Sequence, residues 1–344
     1  MNAFIKAISY YLPDKIVTNE ELLRLFPEWS VEKVSAKIGV DARHVSAPNE
    51  TAADMAIKAA EKLFDTHEEL RSKIDFILFC TQSPDFKLPT TACLIQECLG
   101  LSSNIGALDY NLGCSGYVYG LAMAKGLIMA NIACNVLLLT AETYTKYIHP
   151  SDKGNRSLFG DGAAATVIST EGWAQIENFV LGTDGTGGEN LIVKAGGSRF
   201  PQLSEMLNYD DGGYLKAPDF LYMNGSEIFN FTLKAIPPLV KAVIEKNHLD
   251  RNNIDYYIFH QANKFMLNTI RKICDLPKDK FYINLQNTGN TVSSTVPIAL
   301  VDCVKNNKLS TCSNILLAGF GVGYSWGACI LKIDGYGDSV VEKI

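Results

Sequence analysis

Short apolar runs alternate along the chain with longer amphipathic segments. Residues 74–80 (IDFILFC) and 135–141 (NVLLLTA) are of strand length and rich in branched or aromatic side chains, which is typical of strands buried on both faces. Between them the pattern predicts a helix over 90–99, a short strand over 106–110 and a helix of small residues over about 113–130. This alternation of strands and helices indicates an α/β fold with parallel strands.

The same order of elements occurs twice in the chain. Residues 254–260 (IDYYIFH) repeat the pattern of 74–80 at a distance of 180 positions. The elements that follow also match: a helix over about 263–274, a strand over 281–284, a helix from about 294, and an apolar run over 314–317. Chance similarity of buried strands is the simple alternative, but five elements agree in order and spacing. We therefore predict two α/β halves related by a pseudo-twofold axis.

The repeat predicts both the domain organisation and the position of a site. The halves are expected to span residues 1–172 and 173–335, with a tail over 336–344. Ligands bind at the carboxyl ends of parallel strands, and the repeat makes Cys80 equivalent to His260 there. By the same comparison Cys114 is equivalent to Asn290, each lying between a short strand and a helix. We expect Cys114, His260 and Asn290 to converge between the halves.

Composition and charge narrow the class of protein. The chain has 344 residues, of which 47% are hydrophobic and 20% charged, as in ordinary globular proteins, and its net charge is −6. An acidic chain offers no global attraction for nucleic acid. The apolar stretch 126–141 is interrupted by two asparagines, and the N-terminus lacks a secretory signal. Nine cysteines occur without a C-x-x-C pair, so we expect a cytoplasmic protein with no metal, no disulfide framework and no membrane or nucleic-acid partner.

Cys114 has the setting of a reactive thiol. It lies between Gly113 and the pair Ser115-Gly116, where small neighbours allow a sharp turn and the approach of a substrate carbonyl. A helix that begins here supplies N–H groups and a positive partial charge, which predicts a stabilised thiolate and a site for an oxyanion. The other eight cysteines are interpreted as core residues. His260 alone is more often a structural residue, and Asn290 alone a turn or cap residue, so both depend on Cys114 for their significance.

Around these three residues the sequence resembles the β-ketoacyl-[acyl carrier protein] synthase III family of the thiolase superfamily. The resemblance covers nearly the whole chain. It depends on five ordered motifs: NLGCSG around Cys114, FGDGAAA at 159–165, HQAN at 260–263, GNT at 289–291 and GFGVGYSWG at 319–327. It implies a duplicated, five-layered αβαβα thiolase-like fold and a homodimer. The implied reaction is the decarboxylative condensation of an acyl primer thioester with malonyl-[acyl carrier protein], which gives a 3-oxoacyl-[acyl carrier protein].

The resemblance also implies roles for individual residues. Cys114 corresponds to the nucleophile that carries the acyl group, and His260 and Asn290 to the pair that binds the thioester carbonyl of the malonyl group. The active-site loop and oxyanion hole correspond to Phe320, Gly321, Val322 and Gly323. A backbone donor survives at Val322, where many relatives have glycine, but the larger side chain is expected to narrow the acyl pocket. A core aromatic is the simple alternative for Phe320.

The substrates implied are phosphopantetheine thioesters, acyl-CoA or acyl-[acyl carrier protein], with no further cofactor. Lys33, Lys37 and Lys153 occupy positions where the housekeeping enzyme of the family holds the adenine nucleotide of CoA with one Trp and two Arg. Because lysine offers no flat face for stacking, we predict a primer carried by acyl carrier protein, or by CoA with poor affinity, in a specialised pathway. Ser226 is also assigned to substrate binding, and Leu88 of the partner subunit to the acyl pocket.

A row of cations predicts where the carrier protein docks. Lys264, Arg271 and Lys272 follow His260 at helical spacing and fall on one face, which suits an acidic carrier protein; a solvated charged face is the alternative.

Three other functions compete. 3-Hydroxy-3-methylglutaryl-CoA synthase needs a glutamate acid where this chain has Gln82, which cannot donate a proton in that way. An acyltransferase that works without decarboxylation and a non-catalytic partner subunit of a ketosynthase stay open as alternatives.

Overall fold

A continuous sheet of nine strands forms the centre of the protein in the computed structural model, which describes residues 2–202, 207–309 and 312–333. The strands are β1 (Phe4–Tyr11), β2 (Ile16–Thr18), β3 (Ala42–His44), β4 (Phe76–Cys80), β5 (Gly106–Tyr110), β6 (Asn135–Glu142), β7 (Gly162–Ser169), β8 (Ala174–Thr183), β9 (Leu191–Ile192), β10 (Asn208–Tyr209), β11 (Leu215–Lys216), β12 (Tyr222–Met223), β13 (Tyr256–Phe259), β14 (Asn314–Gly321) and β15 (Ser325–Lys332). The helices are α1 (Asn19–Leu23), α2 (Val31–Ile38), α3 (Ala52–Thr66), α4 (Glu68–Arg71), α5 (Thr91–Cys98), α6 (Gly116–Met129), α7 (Lys153–Leu158), α8 (Gly225–Lys246), α9 (Lys264–Ile273) and α10 (Thr295–Lys305).

The strand order shows the duplication. It runs β5-β4-β6-β7-β1 through the first half and continues β8-β15-β14-β13 through the second. In each half the strand of the repeated segment pairs in parallel with a long strand that follows it in the chain. Phe76 of β4 lies opposite Val136 of β6, and Tyr256 of β13 lies opposite Ile315 of β14. The halves join where β1 and β8 pair antiparallel. The predicted α/β class and repeat are therefore confirmed.

Equivalent carboxylates hold the two parallel pairs. The Asp75 carboxylate accepts hydrogen bonds from two backbone N–H groups at the start of β6, at 2.7 and 3.0 Å. The Asp255 carboxylate does the same at the start of β14, at 2.8 and 3.0 Å. Charge-assisted bonds of this kind fix the register of each pair.

One predicted strand is wrong. Residues 281–284 form only a single parallel bridge, between Phe281 and Tyr257. The ladder stops there because the N–H of Asn284 donates to the side-chain oxygen of Gln261 at 2.7 Å and is no longer available to a neighbouring strand. The second half therefore contributes four strands to the sheet and the first half contributes five.

Three hydrophobic clusters hold the helices against the two halves of the sheet: one on each outer face and one that both halves share on the inside. Side chains of Ile77 and Phe79 pack with α3 and α5 on one outer face, whereas Leu78 between them points inward to α6 and α10. In the second half Ile258 points to the same inner helices, while its neighbours in β13 pack with α8 and α9 on the other outer face. This alternation with a period of two produces the predicted order of helix, sheet, helix, sheet and helix.

The described residues bear on several of the expectations about the whole chain. No helix among them is long and apolar enough to cross a membrane. No group of three or more His, Cys, Asp or Glu side chains that could hold a metal ion occurs in the ranges given above. All nine cysteines are free thiols. β7 ends at Ser169 and β8 begins at Ala174, on either side of the predicted boundary after residue 172, whereas the predicted tail 336–344 lies outside the described residues.

Candidate active site

Cys114 lies in the turn between β5 and α6. Its side chain is 6% exposed, and the turn closes with a hydrogen bond from the N–H of Gly116 to the carbonyl of Gly113 at 2.8 Å. A Cβ at position 113 would lie 2.6 Å from the Gln82 side-chain oxygen and 2.6 Å from a methyl group of Val322. Only glycine fits at this position, because real Cβ atoms do not approach other atoms so closely.

The loop between β14 and β15 approaches the sulfur from the second half. A Cβ at Gly321 would lie 2.7 Å from the Cys114 Sγ, so the backbone touches the thiol directly. The backbone of Val322, the next residue, and that of Cys114 itself both lower the pKa of the thiol, as N–H groups directed at a sulfur do. Two backbone donors therefore converge at the place where an oxyanion would form on a group attached to the sulfur.

Burial decides the protonation state of Cys114. Removal from solvent raises the pKa of the thiol to about 12, against the lowering effect of the Val322 N–H, and the charge of Glu142 raises it further. The expectation of a stabilised thiolate at the start of α6 is therefore wrong for the resting protein. Burial is the largest contribution to this pKa, and the sulfur must lose its proton during the reaction.

His260 follows β13 and is held by the chain on two sides. Its side chain is 2% exposed, and its backbone N–H donates to the Ala318 carbonyl at 2.7 Å. The ring Nδ1 lies 2.7 Å from the Thr295 hydroxyl oxygen, which also lies 3.0 Å from the Val292 carbonyl. The hydroxyl has one hydrogen, so it donates either to the Val292 carbonyl or to Nδ1; in the second arrangement the ring proton resides on Nε2. Burial lowers the pKa of His260 to about 3, so the imidazole is neutral.

Asn290 is fixed by the FGDG motif. Its N–H donates to the Leu158 carbonyl at 2.9 Å, and its carbonyl accepts from the Gly160 N–H at 3.1 Å. The side-chain oxygen accepts from the Val292 N–H at 2.9 Å, which leaves the amide NH2 as the group that can donate to a substrate. Val292 has a φ of 55°, a strained value for a β-branched residue, and this loop conformation aims the amide.

Two side chains of the second half connect the surroundings of the predicted residues. The Phe320 ring packs edge-on against the His260 ring with centroids 5.7 Å apart. The Val292 side chain lies beside the turn that holds Cys114, 3.2 Å from where a Cβ of Gly113 would be. Val292 and Phe320 belong to the same buried cluster as Cys114, so side chains that lie next to Asn290 and His260 pack in the core that contains the thiol.

Sequence reasoning missed Glu142 at the end of β6. This carboxylic acid is fully buried, and its oxygens accept hydrogen bonds from the Gln82 N–H and the hydroxyls of Ser83 and Ser293. Burial raises its pKa to about 8. The signal in the sequence is an acidic residue directly after the apolar run LLLTA, at the strand end where a ligand site is expected.

A cavity of about 680 Å³ opens beside α2, α7 and the β10–β11 hairpin. Lys37 and Lys153 line it as predicted, but Lys33 is exposed and does not line it. Trp29, which sequence reasoning missed, lines it as well, with the Lys153 Nζ 5.2 Å from its ring centroid. The premise that this region offers no flat aromatic face is therefore wrong. Lys153 also pairs with Glu28 at 2.5 Å.

Two predicted substrate contacts lie outside that cavity. Ser226 is exposed in the first turn of α8, with its hydroxyl 3.3 Å from that of Tyr214, which lines the cavity. Leu88 is 82% exposed on the loop before α5.

The three docking cations differ in their surroundings. Lys264 and Lys272 are exposed on α9. Arg271 is partly buried and donates to the Leu276 carbonyl at 3.0 Å, so its guanidinium stabilises the end of its own helix. Beside them Phe265 is 59% exposed, lines the cavity and stacks on Phe229 with centroids 5.5 Å apart.

Comparison with known proteins identifies the family of the chain. The family model described as 3-oxoacyl-[acyl-carrier-protein (ACP)] synthase III matches residues 108–185, and the model of its C-terminal part matches residues 244–333. A β-ketoacyl-[acyl-carrier-protein] synthase III of Clostridium perfringens is 34% identical over 333 residues, which covers 96% of this chain and 99% of that protein. The chain belongs to the β-ketoacyl-[acyl carrier protein] synthase III family.

Other relatives agree with this assignment to the synthase III family. The synthase III of Streptococcus agalactiae is 36% identical, over 96% of this chain and 99% of that protein. A crystal structure of a 3-oxoacyl-(acyl-carrier-protein) synthase III matches with a TM-score of 0.94 at 46% identity, over 97% of this chain and all of the other. The thiolase-like fold and the condensing activity predicted from the motifs are confirmed. Neither the acyltransferase without decarboxylation nor the non-catalytic subunit is favoured.

Proposed function

We propose that Cys114 takes the acyl group of the primer in the first half-reaction. The observation that carries this is the contact of the Val322 N–H with the sulfur, because the same donors that meet the thiol would hold the oxyanion of the tetrahedral intermediate. The sulfur attacks the primer carbonyl and loses its proton, the carrier thiol departs with a proton, and an acyl thioester is left on Cys114.

In the second half-reaction His260 and Asn290 bind the thioester carbonyl of malonyl-[acyl carrier protein]. The Nε2–H of the imidazole and the amide NH2 of Asn290 both donate to that oxygen as CO2 leaves, so the electron pair passes into an enolate. A neutral imidazole suits this role because it donates a hydrogen bond without adding a charge that would need solvation. The enolate carbon attacks the acyl thioester, a carbon–carbon bond forms, and Cys114 leaves as a thiolate that takes up a proton from the solvent. The reaction uses only side chains and backbone of the chain and phosphopantetheine thioesters as substrates.

Mass spectrometry tests the first half-reaction. Incubation with a short acyl thioester should add one acyl mass to the intact protein, and Cys114→Ala should abolish the addition. Cys80→Ala is the matched control, because the Cys80 thiol is equally buried and its sulfur donates to the Leu112 carbonyl at 3.0 Å. Acylation that persists in Cys114→Ala would overturn the proposal.

The primer is proposed to arrive on acyl carrier protein in preference to CoA. Trp29 offers a flat face, but the Lys153 ammonium lies over that face and is paired with Glu28, whose charge opposes the phosphates of CoA. The 4′-phosphopantetheine arm carries fewer phosphates and needs no stacking face. Free cysteines at nine positions suit a reducing compartment, so the enzyme is proposed to act in the cytoplasm.

Donor competition tests the carrier. Acetyl-[acyl carrier protein] should acylate Cys114 faster than acetyl-CoA at equal low concentration and modest salt, and Lys37→Ala should slow the reaction with the protein donor. Trp29→Ala is the comparison variant, because it removes the stacking face alone. If acetyl-CoA is at least as good a donor and Trp29→Ala impairs it selectively, the preference for acyl carrier protein is wrong.

The carrier protein is proposed to dock on α9 beside the cavity. Lys264 and Lys272 supply exposed positive charge to an acidic partner, and Phe265 adds apolar area at the cavity rim. Arg271, which stabilises its own helix end, contributes less. Lys264→Glu should raise the KM for malonyl-[acyl carrier protein] and leave the alkylation of Cys114 by iodoacetamide unchanged.

We also infer a homodimer that completes the acyl pocket. In the described part of the chain β5 pairs only with β4, so its outer edge has no partner strand, although the Asp109 N–H donates to the Thr90 hydroxyl at 3.1 Å. Phe86 and Leu88 are exposed near that edge, at 58% and 82%. A second copy would cover the edge, and Leu88 of the partner subunit would reach the acyl group on Cys114. Sedimentation of the protein should give twice the mass of one chain, and a monomer at micromolar concentration would contradict the inference.

A further inference from the structure

Glu142 is a carboxylic acid buried beside the nucleophile without a cation. It ends β6 and is fully buried. None of the ion pairs within the ranges that the structure describes involves it. A buried carboxylate that lacks a positive partner is costly, so its presence in a strand core calls for a function.

The hydrogen bonds of Glu142 connect the two halves. The Gln82 N–H lies 3.0 and 3.1 Å from the two carboxyl oxygens, and the Ser83 hydroxyl donates at 2.7 Å. Both residues belong to the loop that follows β4 in the first half. The Ser293 hydroxyl, at 3.4 Å, belongs to the loop of the second half that carries Asn290. One carboxyl group therefore links two loops that surround Cys114.

The charge state of Glu142 is coupled to that of the sulfur. Burial raises the pKa of Glu142 to about 8, Ser83 and other donors lower it in part, and the nearby Asp161 raises it. Its charge in turn raises the pKa of Cys114. The titratable groups that face it are neutral or acidic: Cys80, Cys114, Tyr144, Tyr147 and Asp161. An ionised Glu142 would thus oppose a thiolate with nothing nearby to balance it.

We propose that Glu142 is a positioning residue whose protonated form links the Gln82 loop to the Asn290 loop and keeps negative charge away from Cys114 while its sulfur is a thiolate. The inference deepens the proposed function and depends on Cys114 being the nucleophile. No covalent step is assigned to Glu142, and its proton stays in place through both half-reactions. Above neutral pH the carboxyl ionises, and the reactivity of the sulfur rises less steeply than that of an ordinary thiol.

Alkylation of Cys114 tests this on the full chain. Glu142→Gln keeps the shape and a hydrogen-bond acceptor but cannot ionise, so iodoacetamide should modify Cys114 about tenfold faster at about pH 9, the effect of one pKa unit. The difference should shrink towards about pH 6, where wild-type Glu142 is protonated. A purely structural role would not shift the pH profile in this direction. Profiles that coincide for two folded proteins would overturn the proposal.

Asp302→Asn is the matched control. This carboxylate is also largely buried, its pKa is raised by burial, and it accepts a hydrogen bond from Tyr10, but its charge acts on groups away from Cys114. Its removal should leave the alkylation profile unshifted. Because alkylation reports on the sulfur alone, a shift in Glu142→Gln would stand even if acyl transfer to Cys114 failed, so the two proposals fail separately.

A second measurement covers the case in which Glu142→Gln does not fold. Infrared spectra of the wild-type protein should show a buried protonated carboxyl at about pH 6 that is lost by about pH 10. The absence of that band at about pH 6 would overturn the proposal without any variant.

Discussion

The two halves carry the same sheet but different chemistry at equivalent turns. The turn of the first half, around Cys114, carries the thiol proposed as the nucleophile and opens directly into the long helix α6. The turn of the second half, around Asn290, passes through the strained Val292 and a short 3-10 helix before α10 begins. The strands determine the position of each turn in the fold, and the residues of the turn determine which chemical groups it presents there.

A second pair of equivalent positions shows the same divergence. Cys80 ends β4 and its thiol donates to the Leu112 carbonyl, so it is a packing residue. His260 follows β13 in the other half, its Nδ1 lies against the Thr295 hydroxyl, and it is the residue proposed to bind the malonyl carbonyl. The comparison predicts that acylation depends on the turn of the first half, and decarboxylation on the loops of the second.

Gly321→Ala should have the largest effect on the rate, and it should impair both half-reactions although it lies in the second half. Gly321 belongs to the second half, yet a Cβ there would lie 2.7 Å from the Cys114 sulfur. We expect acylation and condensation both to fall by more than about a hundredfold, the scale of losing an oxyanion donor. The mass of the acylated protein measures acylation, and product formation measures condensation. Normal acylation in Gly321→Ala would show that the loop can move away from the sulfur without loss of activity.

His260→Ala and Asn290→Ala should separate the half-reactions. Only decarboxylation builds an enolate, so malonyl decarboxylation is expected to fall by roughly a hundredfold or more while acylation of Cys114 stays near normal. Release of CO2 from malonyl-[acyl carrier protein] is the measurement. An equal loss in both half-reactions would refute the division between the halves.

Thr295→Val should produce a smaller loss through His260. The variant keeps the shape of the side chain but removes the hydroxyl 2.7 Å from the ring Nδ1, so the imidazole loses the partner that orients it. We expect decarboxylation to fall about tenfold, within the range seen for lost orienting groups. Thr295→Ser, which restores the hydroxyl, should recover most of the rate. No recovery would mean that packing is the important contribution of Thr295.

Leu88→Phe should alter primer preference with little effect on rate. If Leu88 of the partner subunit lies at the end of the acyl pocket, a larger side chain fills that space and favours shorter primers. Competition between acetyl and longer acyl donors measures the preference. Phe86→Leu on the same exposed loop is the control, and an unchanged profile for Leu88→Phe would contradict the placement.

The smallest effects should be equal in the two halves. Asp75→Asn and Asp255→Asn each remove a carboxylate that accepts two backbone N–H bonds at the start of a parallel strand. Each should lower the free energy of unfolding by about 1–3 kcal/mol. Denaturant unfolding measures both, and clearly unequal losses would show that the halves differ in their scaffold as well as in their turns.

Prediction from the sequence worked best for elements with strong local patterns. The bounds of β5 are those predicted, and the apolar runs that became β4 and β6 were placed within a few residues. The strand over 281–284 failed because a distant side chain, that of Gln261, takes an N–H that the ladder would need. Local periodicity carries no information about such competition between distant groups.

The sequence predicted which residues form the candidate site but not how deeply they are buried or what surrounds them. Cys114, His260 and Asn290 follow from their positions in the repeat and from the motifs around them. The thiol state of Cys114 does not, because the loss of solvent that raises its pKa depends on how completely both halves cover it. Trp29 escaped notice for a related reason, since only the folding of α1 and α2 towards α7 places it in the cavity.

By itself the sequence determined the α/β class, the duplication and the family, and it supplied the proposed reacting side chains, because periodicity and motif order are local properties of the chain. Only the tertiary structure decided that the sulfur is protonated at rest and that the Arg271 guanidinium belongs to its own helix end. It also decided that Glu142 is buried and forms no ion pair with any residue of the ranges that the structure describes. The reason is physical: solvation and hydrogen-bond partnership are set by residues that are far apart in sequence and meet only after the chain has folded.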